Sequence, residues 1–148
     1  MTIGKRGELN LSFGMIFSII LIIAFISSSF YGIKKFLDIQ NRLNLETFAD
    51  NLKNDVDKLW KSSQGSKEVQ YSLPSKVKEV CFFNDEYENF LLRNSDEQAI
   101  LWKKIEHIDL EKITKRENPY CIETEKGKVQ MILKKNYDEV LVTITKEE

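Results

Sequence analysis

Hydrophobic positions in this chain follow three patterns in succession. From Leu11 to Ile33 the residues are almost all apolar and none is charged. As a helix this stretch rises roughly 35 Å, enough to cross a hydrocarbon core of about 30 Å with some tilt. Lys5 and Arg6 precede it and Lys34 and Lys35 follow it, with Tyr31 near one boundary, so the flanks suit two membrane interfaces. Past Lys35 the sequence turns polar, but Ile33, Leu37, and then Leu45, Phe48, Leu52, Val56, Leu59 and Trp60 keep a helical rhythm. Their spacings of three and four predict one helical face. Neither proline nor glycine interrupts Ile33 to Ser62, so one helix from about Leu9 to Lys61 is predicted, on the order of 80 Å long. The alternative is two helices with a break near Gly32.

"SSQGS", Ser62 to Ser66, reads as a linker with a helix stop at Gly65. Beyond it the period shortens to two. "EVQYSL", "VKEVCFF" and "YENFLLR" predict short strands, with Pro74 and the turn Asn84 to Glu86 between them. "SDEQAILWKKIEHI" changes period again: Ser95 and Gln98 have capping-box spacing, and Leu101, Ile105 and Ile108 share a helical face, which predicts a helix from Asp96 to His107. Asn118-Pro119 marks the next break. The last stretch predicts a meander of three antiparallel strands with turns at Lys126-Gly127 and Asn136 to Asp138. Val129, Met131 and Leu133 are expected on one buried face, and Val140, Val142 and Ile144 likewise.

The fold class so predicted is α+β, a long N-terminal transmembrane and stalk helix packed on a small antiparallel β-sheet head. Its expected segments are a leader at 1–7, a transmembrane helix at 8–35, an amphipathic stalk at 36–61, the linker at 62–66 and a β-rich extracytoplasmic head at 67–148. At 148 residues there is room for one such head beside the membrane segment. A net charge of −1, with Lys and Glu interspersed, provides no basic field for phosphate contacts, and nucleic acid is not an expected partner.

Catalytic chemistry has little to work with. His107 is the only histidine, which excludes a histidine-rich metal site, and it is expected to be an ordinary surface or boundary side chain. No Gly-rich phosphate loop, serine elbow or spaced carboxylate motif is present. The chain is therefore expected to be no enzyme and to use neither cofactor nor metal. Cys81 and Cys121 have two readings: a disulfide if the head faces an oxidising space, or two buried free thiols behaving as small apolar residues. The sequon Asn10-Leu11-Ser12 lies at the start of the apolar run, an unsuitable place for a glycan.

The apolar run itself admits three readings. A cleaved secretory signal would end in the small residues Ser27-Ser28-Ser29. A plain single-span anchor needs only the length and the flanks, and would carry an extracytoplasmic binding module that does not polymerise. The third is a resemblance. "KRG", then "ELNLSFGMIF", then an apolar helix continuing into an amphipathic stalk and a β-rich head, resembles a type IV pilin precursor, especially archaeal pilin-like proteins with class III signal peptides. The resemblance implies processing by a prepilin peptidase at Lys5, Arg6, Gly7 and Glu8, with the cut between Gly7 and Glu8. It implies a structural subunit, major or minor, of a type IV pilus-like surface filament or its assembly machinery. Its partners would be membrane lipid, the peptidase and copies of itself through the N-terminal helix, and its place the cell membrane, single-pass, or the surface filament. This chain departs from the pattern in having Glu8 where many members carry glutamine, and Ser12 where bacterial pilins carry a glutamate. Gly14, Ala24, Ser27 to Ser29 and Gly32 are small residues of the kind that let membrane helices approach closely.

Overall fold

The computed structural model describes residues 12–147. The processing residues Lys5, Arg6, Gly7 and Glu8 lie outside them. Two compact units divide at Gln40/Asn41. The first, over its described residues 12–40, is wholly helical after Ser12, and every residue in it is exposed. The same helix, α1, runs from Phe13 to Trp60 with no break at Gly32.

In the second unit the C-terminal part of α1 is a core element. Leu45, Phe48, Ala49, Leu52 and Val56 are buried, at the predicted spacing. Ile33 and Leu37, expected on that face, are exposed instead. Residues 41–60 pack with the head, because the sheets supply the apolar partner that the stripe needs. The linker is also shorter than expected. α1 ends at Trp60, where Lys135 Nζ donates to Trp60 O at 2.6 Å and Ser62 O at 2.8 Å, satisfying carbonyls left open at the helix end. Gly65 already belongs to the first strand and does not terminate the helix; a Cβ there would sit 2.8 Å from Leu59 Cδ1, the tip of a side chain that would have to shift.

Two antiparallel sheets complete this unit. Strands β1 (Gly65–Ser72), β6 (Lys128–Lys135) and β7 (Thr143–Lys146) form the first, in the order β1-β6-β7. Strands β2 (Glu79–Phe82), β3 (Phe90–Arg93), β4 (Ala99–Lys103) and β5 (Tyr120–Glu123) form the second, in the order β4-β3-β2-β5. A short helix, α2, spans Leu110–Ile113. The apolar sides of both sheets and the Leu45–Val56 stripe make one cluster, in which Phe82, Phe90, Leu92, Val129 and Leu133 are all fully buried. Buried Asn89 is satisfied on both sides of its amide: Nδ2 donates to Ile105 O and Oδ1 accepts from Ile105 N, each at 2.8 Å.

Three expectations are corrected. The helix expected from Asp96 to His107 is a hairpin arm, β4, paired with β3 at Leu91↔Trp102 and Leu92↔Leu101. The polar residues read as a capping box form the turn instead: Asn94 Oδ1 accepts from Asp96 N and Gln98 N, and Glu97 is left-handed at φ 58°. The three-strand meander is two strands, since β5 leaves β6 and pairs with β2 as Val80↔Ile122 and Phe82↔Tyr120, while β1 takes its place beside β6. The turn at Lys126-Gly127 does form, with both residues at positive φ as a tight reversal requires. Val140 is 75% exposed and precedes β7, so only Val142 and Ile144 of that trio are buried.

Candidate functional site

Among its described residues, unit one presents exposed apolar surface. Phe25 is 70% exposed and Phe30 64%, and α1 is the one helix among the described residues long and apolar enough to cross a membrane. Three of its serines suit an apolar solvent. Ser18 donates to Gly14 O, and Ser28 and Ser29 donate to Ala24 O and Phe25 O, at 2.8–2.9 Å, so the hydroxyls need no water.

In unit two, Cys81 and Cys121 stand directly opposite on neighbouring strands, and their sulfurs are joined at 2.05 Å. Glu79 lies beside them, close enough to make the three side chains a candidate metal set. With the two sulfurs bonded to each other, neither is a thiolate ligand in this state. Glu79 faces Arg93, at 3.8 Å.

Two polar clusters fix the end of α1 to the head. Asp55 accepts from Lys67 Nζ and from Tyr71 Oη, both at 2.7 Å. Burial pushes the Asp55 carboxyl up, but the two hydrogen bonds and the lysine charges outweigh it, and its pKa is lowered. Burial, the hydrogen bond and the charge of Asp55 all push the Tyr71 phenol upward. Two residues further along α1, Asp57 Oδ1 lies 2.9 Å from His107 Nδ1, and the imidazole stacks on Trp60 with centroids 3.7 Å apart and planes 9° from parallel. His107 is a half-buried boundary residue, as expected, in a left-handed loop at φ 67° and not at a helix end. Its partners are a carboxylate and an indole, both on α1, and the three side chains together clamp the helix end to the loop that carries His107. Sequence reading missed this clamp because Asp57 and His107 are 50 residues apart.

A third polar tie gives a measurable pH dependence. Lys112 of α2 donates to Glu139, which also accepts from Asn136 N at 3.1 Å. The lysine, then these asparagine contacts, hold the Glu139 carboxyl down at about 2 against an ordinary 4.5. Because the folded pKa is depressed, the tie contributes fully above about pH 4.5 and is lost as pH falls through about 2. A carboxyl NMR titration should place the Glu139 midpoint near 2, and Lys112→Ala should return it toward 4.5; an unchanged midpoint in the variant would contradict the pairing.

These elements define a class: a chain with one exposed apolar helix of membrane-spanning length that continues into the core of a disulfide-bonded, two-sheet head. The chain matches no family model, no curated protein and no solved structure.

Proposed function

We propose that the protein is a structural, pilin-like subunit, major or minor, of a type IV pilus-like surface filament or its assembly machinery. In this reading it is held single-pass in the cell membrane with the head outside. The observation that carries it is the division of labour along α1, whose side chains from Phe13 to Ile39 are exposed while Leu45, Phe48, Leu52 and Val56 are core. So large an apolar surface needs lipid before assembly and other copies of the helix after extraction. The basic-Gly-Glu junction, Lys5-Arg6-Gly7-Glu8, supports the same reading: a cut before the apolar run would keep the helix in the mature protein, with a prepilin peptidase as processing partner. The Cys81–Cys121 bridge suits a head outside the reducing cytosol.

Mass spectrometry of the protein isolated from its membrane should find Glu8 as the first residue. Cross-linking through single cysteines placed in the apolar segment should give a ladder of multimers. An intact Met1, or a start near Phe30, would sink the processing claim. Monomers alone would favour an anchored binding module that never polymerises.

A further inference from the structure

Within the second unit, α1 and the outer edge of β1 bound a groove of about 490 Å³ that none of the foregoing chemistry uses. Register determines which backbone groups face it. Leu73 N donates to Gly127 O, so Tyr71↔Val129 and Val69↔Met131 are the hydrogen-bonded pairs of the ladder, and the alternate residues Gln70 and Ser72 point their N–H and C=O away from β6. β1 is an edge strand, and among the described residues nothing else takes those four groups. Asn44, Thr47 and Asn51 line the opposite wall, spaced to lie in one row on the helix. All three are exposed, and their side chains make no hydrogen bond among the described residues.

This lining is selective. It carries no charged side chain, so it offers nothing to an ionic ligand. Phe48 is only 2% exposed, and Tyr71 is half-buried with its hydroxyl held by Asp55 and its ring packed edge-on against Phe48, which leaves little aromatic surface for a sugar to stack on. What remains is a strand edge with free donors and acceptors, faced by side-chain amides that supply both. Lys67, pinned on Asp55, bounds the open stretch at one end and Pro74 at the other. Residues 68 to 73 lie between, enough for a short added strand of roughly 20 Å.

We infer that this groove accepts an extended, uncharged peptide strand, which pairs with Gln70 and Ser72 and is held on its other side by Asn44, Thr47 and Asn51. The inference holds whether or not the chain polymerises. It is tested on the full chain in detergent micelles, with the capped peptide acetyl-Thr-Val-Ser-Val-Thr-Gln-amide as probe and hydrogen exchange as readout. Saturable binding should slow exchange of the Gln70 and Ser72 amides at least tenfold. The same peptide N-methylated at alternate positions should bind at least tenfold more weakly, as should the wild-type peptide to Asn44→Ala/Asn51→Ala. Gln70→Pro removes an outward donor without touching the ladder and should act likewise. Unchanged exchange at Gln70 and Ser72 in millimolar peptide, equal binding of the N-methylated peptide, or protection of these amides by chitotriose in its place would overturn the inference. The N-methylated comparison on unaltered protein decides even if a variant fails to fold.

Discussion

Phe90→Ala should lower the unfolding free energy of the head by about 3 to 5 kcal/mol. Phe90 is fully buried, with its ring centroid 5.9 Å from that of Phe48 on α1 and 5.6 Å from that of Phe82 on the neighbouring strand. It is therefore a point where helix and four-stranded sheet meet, and truncation there removes contacts to both at once. The walls of the resulting cavity are held by the β2–β3 and β3–β4 ladders and cannot collapse freely, which puts the cost toward the upper end for an aromatic deletion. Since small domains have only about 5 to 15 kcal/mol in hand, a large fraction of the stability is at stake. Denaturant unfolding followed through Trp60, whose indole is stacked on His107, should show the midpoint fall with little change of slope. Tyr137→Ala, at a site 81% exposed, should stay within about 0.5 kcal/mol of the parent. A Phe90→Ala loss below about 1 kcal/mol would mean that α1 is not part of the core.

The contrast between what the sequence made legible and what it did not follows from the range of the interactions involved. The apolar run, the uninterrupted helix and the Leu45–Phe48–Leu52–Val56 stripe depend on neighbours three and four apart, and periodicity reports those directly. So does the Lys126-Gly127 turn, whose positive φ angles are a local requirement. Strand partnership is not local. Tyr120 to Glu123 alternates equally well beside β6 or beside β2, and only the fit of Ile122 against Val80 and Tyr120 against Phe82 across the second sheet selects the latter. Likewise Leu101, Ile105 and Ile108 have helical spacing, but Ala99 to Trp102 are taken by the open edge of β3. Ile105 and Ile108 are then buried from extended chain. The polar residues at 94–98 suited either outcome, because a side chain that accepts from backbone N–H groups two and four residues on makes a turn as readily as a cap. The clamp on α1 was hidden for the same reason as the sheet order. Asp57, Trp60 and His107 carry no motif in sequence and acquire meaning only once a left-handed residue turns the imidazole onto the indole.

Reduction of the Cys81–Cys121 bridge should cost the head roughly 3 to 4 kcal/mol, the chain-entropy value for closing a loop of this separation, 40 residues. The loss should not be spread evenly. β5 is an edge strand of four residues, held to the second sheet by β2 alone, and after the turn at Lys126-Gly127 the chain enters β6 of the other sheet. The bridge therefore fastens the segment by which the chain passes from one sheet to the other. Its removal should raise exchange of the Ile122 amide well before that of Leu133, which sits in the central strand of its sheet and is fully buried. Comparing oxidised and reduced parent protein in denaturant avoids putting a hydroxyl at position 81, where the side chain is fully buried and an unpaired polar group would add its own penalty. Two titratable thiols in the native, unreduced protein, or an identical midpoint with and without reductant, would count against the bridge. A fall in midpoint with uniform loss of protection would leave the bridge standing but reject β5 as the place where the head first opens.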